Sequence, residues 1–220
     1  MKAISIANIE DRRYSYIPFS EDFYQAFGNR EKTGNWIVYG KAGQGKTRFV
    51  LQLAKEFDRI GYKVLLASLE MGFCADFQKD LHDSGIRSKV QKIVFTDAMT
   101  LPDLEDMLGK QRSPDVIIID SLQYFVNQYD ATAEGIIALR KKFRSKIFVY
   151  VSHVDGKEVE GKAAYAVKRD SFVRIQVEGF RAKYIGRGKG GPVGHYTVWD
   201  EGEEKYWLQH NNSEDGETSD

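Results

Sequence analysis

The sequence Gly40-Lys41-Ala42-Gly43-Gln44-Gly45-Lys46-Thr47 decides the fold, because it fits the pattern G-x-x-x-x-G-K-[ST] in full. It follows an apolar run at 36–39 that predicts a short buried strand, and it opens a helix predicted over 47–60. Glycines let backbone N–H groups turn inward around phosphate oxygens, and the helix N-terminus adds partial positive charge. We therefore expect this segment to bind a nucleoside triphosphate, with Lys46 at the β and γ phosphates and Thr47 at Mg²⁺.

Strands and helices alternate after this motif. Continuous apolar strands between helices indicate a sheet that is buried on both faces, and hence a three-layer α/β fold with a mostly parallel sheet. Beyond residue 172, short alternating runs broken by glycines predict antiparallel hairpins instead. The predicted strands are 36–39, 62–69, 93–95, 116–119 and 147–151, followed by hairpin strands at 172–177, 181–185, 195–199 and 205–208; the predicted helices are 47–60, 74–82, 101–110 and 131–144.

Three parts are expected along the chain. Residues 1–32 form an aromatic-rich segment that packs on the core, and 33–210 form the main domain. Residues 211–220 contain no aromatic or branched apolar residue, so we expect a disordered acidic tail there. We expect a near-minimal core of the stand-alone or phage-encoded kind.

Composition excludes several classes of protein. The 220 residues are 42% hydrophobic and 29% charged, with 32 Lys and Arg against 32 Asp and Glu, as in ordinary soluble proteins. The single cysteine, Cys74, cannot form an internal disulfide. No apolar run approaches the roughly 18–20 residues of a membrane helix, and the N-terminus lacks a signal-peptide core. These features favour a cytoplasmic protein, and they exclude secreted proteins, membrane-spanning proteins and proteins built on a disulfide scaffold.

Two acidic residues at strand ends complete the predicted phosphate site. Asp120 ends a buried strand, at the edge where α/β sheets bind ligands, and is expected to hold Mg²⁺ through water. Ser121, not a glutamate, follows it, so a catalytic base must come from elsewhere. Glu70 ends the strand directly after the phosphate-loop helix, where it would orient and deprotonate the attacking water.

Several motifs within residues 33–208 resemble the RecA/DnaB superfamily, the group of P-loop ATPases that contains recombinases, ring helicases and RadA-type repair ATPases. They are Ser68-Leu69-Glu70-Met71, the run from Val116 to Ser121, and Val151-Ser152-His153-Val154 with the following Gly156-Lys157 and Gly161-Lys162. The resemblance implies a RecA-like sandwich that binds and hydrolyses ATP with Mg²⁺. It also implies that His153 senses the γ-phosphate; the alternative is a core histidine bonded to backbone.

The resemblance further implies an oligomer, a ring or filament with a hexamer favoured, in which Arg187 acts in trans on the neighbour's ATP. The family's lysine before this arginine is replaced here by Ile185, and Lys183 or Lys189 would have to substitute. An ordinary charge at a hairpin tip is the alternative for Arg187.

The family's central loops correspond to residues 122–130 and 155–170. In the second, Lys157, Lys162, Lys168 and Arg169 would contact phosphates of single-stranded DNA, and Tyr165 would stack on a base. Asp155, Glu158 and Glu160 make this segment less basic than a dedicated DNA-binding loop. The first loop has no lysine or arginine.

The sequence therefore suggests three candidate functions. The first is an oligomeric motor or remodeller that acts on single-stranded DNA in replication, recombination or repair. The second is a non-motor ATP-dependent switch or accessory protein with a protein partner, which Ile185 and the acidic residues favour. The third is a small-molecule kinase, for which the sequence shows no lid-like arginine cluster.

Overall fold

A computed structural model describes residues 3–88, 91–186 and 188–214, with side chains up to residue 211. The strands are β1 (Gly34–Tyr39), β2 (Val64–Ser68), β3 (Val94–Thr96), β4 (Val116–Asp120), β5 (Ile147–Ser152), β6 (Val154–Asp155), β7 (Glu158–Val159), β8 (Val173–Glu178), β9 (Arg181–Tyr184) and β10 (His195–Thr197). The helices are α1 (Ile6–Glu10), α2 (Glu21–Phe27), α3 (Lys46–Arg59), α4 (Ala75–Asp83), α5 (Leu101–Gly109), α6 (Leu122–Asn127), α7 (Ala133–Lys142), α8 (Lys162–Asp170) and α9 (Asp200–Glu214). No helix in these ranges is both long and apolar enough to cross a membrane.

One sheet of eight strands organises the molecule, in the order β10-β9-β8-β1-β5-β4-β2-β3. The six strands from β8 to β3 in this order are parallel, whereas β9 and β10 add antiparallel pairs at one edge. The strands β2, β4 and β5 are buried along their whole length, as a sheet covered on both faces requires. The predicted α/β fold with C-terminal antiparallel strands is confirmed.

The two faces of the sheet carry separate hydrophobic clusters, because successive strand residues point to opposite sides. Trp36 and Val38 of β1 lie in one cluster, together with α3 and with buried residues of the N-terminal segment such as Phe23 and Phe27. Ile37 and Tyr39 lie in the other cluster, together with residues of β2, β4, β5 and β7, of the helices α5 to α8 and of the loops between these elements. The helices α6, α7 and α8 therefore cover the face opposite to α3.

The N-terminal segment packs on the α3 face from Ile17 onward. The Ser20 N–H donates to Oε1 of Glu56 at 2.6 Å, and Nη2 of Arg59 donates to the Pro18 carbonyl at 3.1 Å. Residues 3–16 are exposed throughout. The division into segments 1–32, 33–210 and 211–220 stays a prediction; α9 continues across residue 211 to Glu214.

Several sequence-based expectations of local structure are wrong. The alternation at 205–208 belongs to α9 and not to a strand: acidic residues fill the first turn of this helix, where they favour helix formation, and four alternating residues are too few to specify a strand. Both expected central loops contain helices, α6 in 122–130 and α8 in 155–170, the latter preceded by the β6–β7 hairpin. Strand β8 pairs parallel with β1 as well as antiparallel with β9.

Candidate active site

The turn between β1 and α3 has the backbone of a phosphate-binding loop. Gly43 has φ of 72° and Gly45 has φ of 95°, a conformation that side chains disfavour. A Cβ on Gly40 would lie 2.1 Å from the carbonyl oxygen of Val177, so only glycine allows β8 to approach this closely. The loop is thus held against β8, and its last glycine caps α3, whose first N–H groups open toward the turn.

Lys46, Thr47 and Asp120 meet at the mouth of this loop. Nζ of Lys46 donates to the Lys41 carbonyl at 2.9 Å, which places the ammonium group over the turn. Oγ1 of Thr47 donates to Oδ2 of Asp120 at 2.8 Å. These oxygens suit Mg²⁺, which prefers hard oxygen ligands and keeps several waters or phosphate oxygens of its own. Within the described ranges, no group of three His, Cys, Asp or Glu side chains is placed to hold a metal ion.

Glu70 is carried to the same point by the pairing of β2 with β4. Ser68 is in register with Asp120, and the N–H groups of Leu69 and Glu70 both donate to the Asp120 carbonyl, at 2.7 and 3.2 Å. Oε2 of Glu70 lies 2.8 Å from Nε2 of His153, the residue that follows β5. The two predicted catalytic residues therefore lie side by side, next to the Asp120 backbone.

The ionisable groups in this cluster shift one another's pKa values. The hydrogen bond from His153 lowers the pKa of Glu70 below its ordinary value, against the opposing effect of burial. The same hydrogen bond raises the pKa of His153. Burial raises the pKa of Asp120 to about 6, although the Thr47 hydroxyl and Lys46 oppose this. Burial also lowers the pKa of Lys46, with Asp120 and Glu70 acting in the other direction.

Residues that sequence reasoning missed form the outer wall of this cleft, whose volume is about 390 Å³. Trp199, 40% exposed, packs edge-on against Phe180 with ring centroids 5.1 Å apart. Cζ of Arg48 lies 5.2 Å from the Trp199 ring centroid. The cleft thus joins a phosphate-binding end to an aromatic and cationic end. Nothing in the sequence links Trp199 to Arg48, since they lie far apart in the chain.

The turn Gly179–Phe180 supports the phosphate loop from behind. The Gly179 N–H donates to Oε1 of Gln44 at 2.6 Å, and its carbonyl accepts from Nε1 of Trp207 on α9 at 3.2 Å. Phe180 has φ of 59° and packs so closely on Gly45 that a Cβ there would lie 2.9 Å from the ring. The C-terminal helix therefore fixes the turn on which the loop rests.

Gln123, also missed, holds the backbone of the predicted sensor. Its Oε1 accepts from the His153 N–H at 3.2 Å. Its Nε2 donates to Oγ of Ser152 and to the carbonyl of Glu160, both at 2.9 Å. This one side chain joins the start of α6, the end of β5 and the residues before α8.

The residues predicted to contact DNA do not line this cleft, although Lys157 lines a second pocket together with Gly40, Lys41 and Gln44 of the phosphate loop. Lys157, Lys162, Tyr165 and Arg169 are exposed on the hairpin β6–β7 and on α8, and Cζ of Arg169 lies 6.0 Å from the Tyr165 ring centroid. Lys168 differs from them: its Nζ lies 2.9 Å from Oε2 of Glu158 and 4.5 Å from the ring centroid of Tyr39. Ile185 is exposed, and Arg187 lies outside the described residues.

Solved structures share this architecture. The flagellar accessory protein FlaH from Methanocaldococcus jannaschii is similar with a TM-score of 0.61 and 19% identity, over 84% of this chain and 92% of that chain. The ATPase domain of G40P is similar with a TM-score of 0.53 and 12% identity, over 74% of this chain and 80% of that chain. No family model and no curated protein matches the sequence. At these identities the likeness establishes the fold, which is RecA-like, as the motifs predict.

Proposed function

We propose that this protein binds ATP together with Mg²⁺ and hydrolyses it. The observation that carries the proposal is the convergence of Lys46, Thr47, Asp120, Glu70 and His153 on one cleft beside a glycine-rich loop. When bound, Mg²⁺ would supply positive charge that offsets the negative charge of the phosphate oxygens. Thr47 and Asp120 would hold it, directly and through water.

The chain's own residues supply the rest of the chemistry. The loop N–H groups and Lys46 bind and orient the phosphates. Glu70 acts as general base: its lowered pKa keeps it ionised near neutral pH, and the contact of Oε2 with His153 holds the carboxylate at the cleft, where it would accept a proton from water. Trp199 and Arg48 provide a stacking surface for the base of the nucleotide.

The proposal is tested by separating binding from turnover. Lys46→Ala is expected to weaken ATP binding strongly, whereas Glu70→Gln is expected to retain binding and lose turnover by about 100- to 10,000-fold. Lys41→Ala is the matched control, because Lys41 is exposed in the same loop and contributes only its carbonyl to the contacts described. Full hydrolysis by Glu70→Gln, or equal effects of Lys46→Ala and Lys41→Ala, would contradict the proposal.

We further propose that the ATPase is an oligomeric motor or remodeller that acts on single-stranded DNA. Support comes from three exposed cations, Lys157, Lys162 and Arg169, and from the exposed ring of Tyr165, whose centroid lies 6.0 Å from Cζ of Arg169. Removing a phosphate contact reduces the slope of log affinity against log salt by about one. We expect this reduction for Arg169→Ala but not for Lys141→Ala, an exposed cation on α7. Arg187→Ala should lower turnover of the assembled protein.

A second candidate is an ATP-dependent accessory protein whose partner is a protein. Glu158 neutralises Lys168, and Asp155 and Glu160 add negative charge to the same surface, which favours this reading. A protein of the same fold, FlaH, is described as a flagellar accessory protein. This candidate is supported if single-stranded DNA neither stimulates turnover nor binds with a steep salt dependence.

A further inference from the structure

The turn that joins β8 to β9 has an unusual backbone at both of its central residues. Gly179 has φ of 50° and Phe180 has φ of 59°. Glycine adopts a positive φ readily, whereas for phenylalanine it is a strained conformation that persists only where the surrounding structure enforces it. Glu178 and Arg181, on either side, are paired in register, so the strained residue lies at the tip of the hairpin. The contacts that this tip makes therefore hold its conformation.

The hairpin contacts both ends of the phosphate loop. A backbone carbonyl of β8 would lie 2.1 Å from a Cβ on Gly40, and the Phe180 ring would lie 2.9 Å from a Cβ on Gly45. Between these two points, Oε1 of Gln44 accepts from the Gly179 N–H at 2.6 Å. The contacts are so close that a displaced tip would displace the loop with it.

Trp207 on α9 holds the same tip from the other side. Its Nε1 donates to the Gly179 carbonyl at 3.2 Å, so Gly179 is bonded through its N–H to the phosphate loop and through its carbonyl to α9. The indole is itself fixed in orientation: Cζ of Arg181 lies 4.6 Å from its ring centroid, and Nε of Arg181 donates to Oε1 of Glu203. The direction of the indole N–H is therefore set by neighbouring side chains.

The position of the loop determines how well it binds phosphate. Backbone N–H groups bind phosphate oxygens tightly when they already point inward, and a loop that must first be ordered loses affinity by the cost of that ordering. Glu70 and His153 are held by other contacts, to the Asp120 carbonyl and to each other. A change at the hairpin tip should therefore weaken nucleotide binding and leave the chemical step largely unchanged.

We infer that Trp207 is a positioning residue for the phosphate loop, and that it raises the affinity of the loop for the nucleotide through Gly179 and Gln44. Among the described residues, none of α9 lines the cleft itself, so Trp207 acts only through the turn. This inference rests on the proposed nucleotide site and makes α9 a determinant of its affinity.

Trp207→Phe tests this role, because phenylalanine keeps a ring for Arg181 and removes the N–H that Gly179 accepts. The dissociation constant for ATP with Mg²⁺, measured by calorimetric titration of the full chain, is expected to rise about two- to tenfold, the effect of one neutral hydrogen bond. KM should rise with it, while kcat changes less than about twofold. Leu208→Ala is the matched control, since Leu208 is the next residue of α9 and is 56% exposed. An unchanged dissociation constant for Trp207→Phe, or an equal loss in both variants, overturns the inference.

A double-substitution cycle tests the connection through Gly179. Gln44→Met removes the acceptor for the Gly179 N–H, keeps a side chain of similar length, and should weaken affinity by a similar factor. If both side chains act through the same turn, the double variant should bind no more weakly than the weaker of the two single variants. Two effects that multiply would mean that Trp207 and Gln44 act separately, and would refute the connection.

Amide hydrogen exchange of the nucleotide-free chain separates this inference from the proposed function. Exchange at residues 178–181 should be faster in Trp207→Phe than in Leu208→Ala, because the turn loses one of the bonds that hold it. Faster exchange without any loss of ATP affinity would overturn the inference and leave the proposed function intact. A wild-type chain that binds no ATP would overturn both.

Discussion

Nε2 of His153 lies 2.8 Å from Oε2 of Glu70, although 83 positions separate these residues in the chain. The contact exists because β4 lies between β2 and β5, so that residues at the carboxyl ends of these strands share one edge of the sheet. Each residue shifts the other's pKa toward its charged form. Protonation of the proposed sensor, His153, therefore changes the pKa of the proposed base, Glu70, and the reverse also holds.

Turnover should depend on pH through His153. Its pKa is raised above 6.5 by the bond to Glu70, so the imidazolium persists to higher pH than in a free histidine. While the imidazolium is charged, it keeps the pKa of Glu70 low, so that Glu70 is a weak base. When His153 loses its proton, the pKa of Glu70 rises and Glu70 becomes a stronger base. We expect kcat to rise with pH through this pKa, and His153→Gln to lack that rise. A pH–rate profile of both proteins is the measurement, and identical profiles would exclude the coupling.

Asp120→Asn should stabilise the nucleotide-free protein at neutral pH. The pKa of Asp120 is raised from 3.8 to about 6, so its ionisation in the folded state is unfavourable and costs stability as pH rises through this range. The gain should reach about 2–3 kcal/mol above pH 6 and vanish near the unfolded pKa. Denaturant unfolding in EDTA at two pH values measures it.

The same variant should lose Mg²⁺-dependent nucleotide binding. A stability gain that is equal at pH 4 and pH 7.5 would mean that burial of the Asp120 charge is not its origin. The asparagine retains an oxygen that can accept from Thr47, so the hydrogen bond itself is preserved as an internal control.

Trp199 should determine much of the affinity for the nucleotide. If the base stacks on its ring, Trp199→Ala is expected to weaken ATP binding by about 5- to 100-fold, the range for base–aromatic stacking. Trp199→Phe keeps an aromatic face and should retain most of the affinity. Fluorescence titration with a labelled nucleotide gives both constants. Equal affinity of the alanine variant and the wild type would place the base elsewhere.

Gln123 should affect turnover and not affinity. Its side chain holds the His153 backbone but contacts none of the loop residues 40–47 in the described hydrogen bonds. Gln123→Leu is expected to lower kcat about three- to tenfold, with an unchanged KM and a displaced pH–rate profile. Gln123→Glu keeps the acceptor for the His153 N–H and should restore part of the rate. A change confined to thermal stability would make the residue merely structural.

The parallel direction of the core strands and the position of the phosphate loop were predictable from the sequence. Buried strands leave continuous apolar runs, and a glycine-rich turn requires particular backbone angles at particular positions, as at Gly43 and Gly45. The positions of Asp120 at the end of β4 and of Glu70 two residues after β2 follow from the same reasoning. The helices α6, α8 and α9 were not predictable, because their short or mixed patterns gain stability only from packing against distant parts of the chain.

Local sequence thus determined which segments are strands of the core and where phosphate would bind, since backbone angles and side-chain periodicity are properties of neighbouring residues. The tertiary structure alone decided which distant side chains meet. Trp199 reaches Arg48 and Gln123 reaches His153, because the order of strands in the sheet sets these distances. That order arises from burial of the whole chain, which no short stretch of residues encodes.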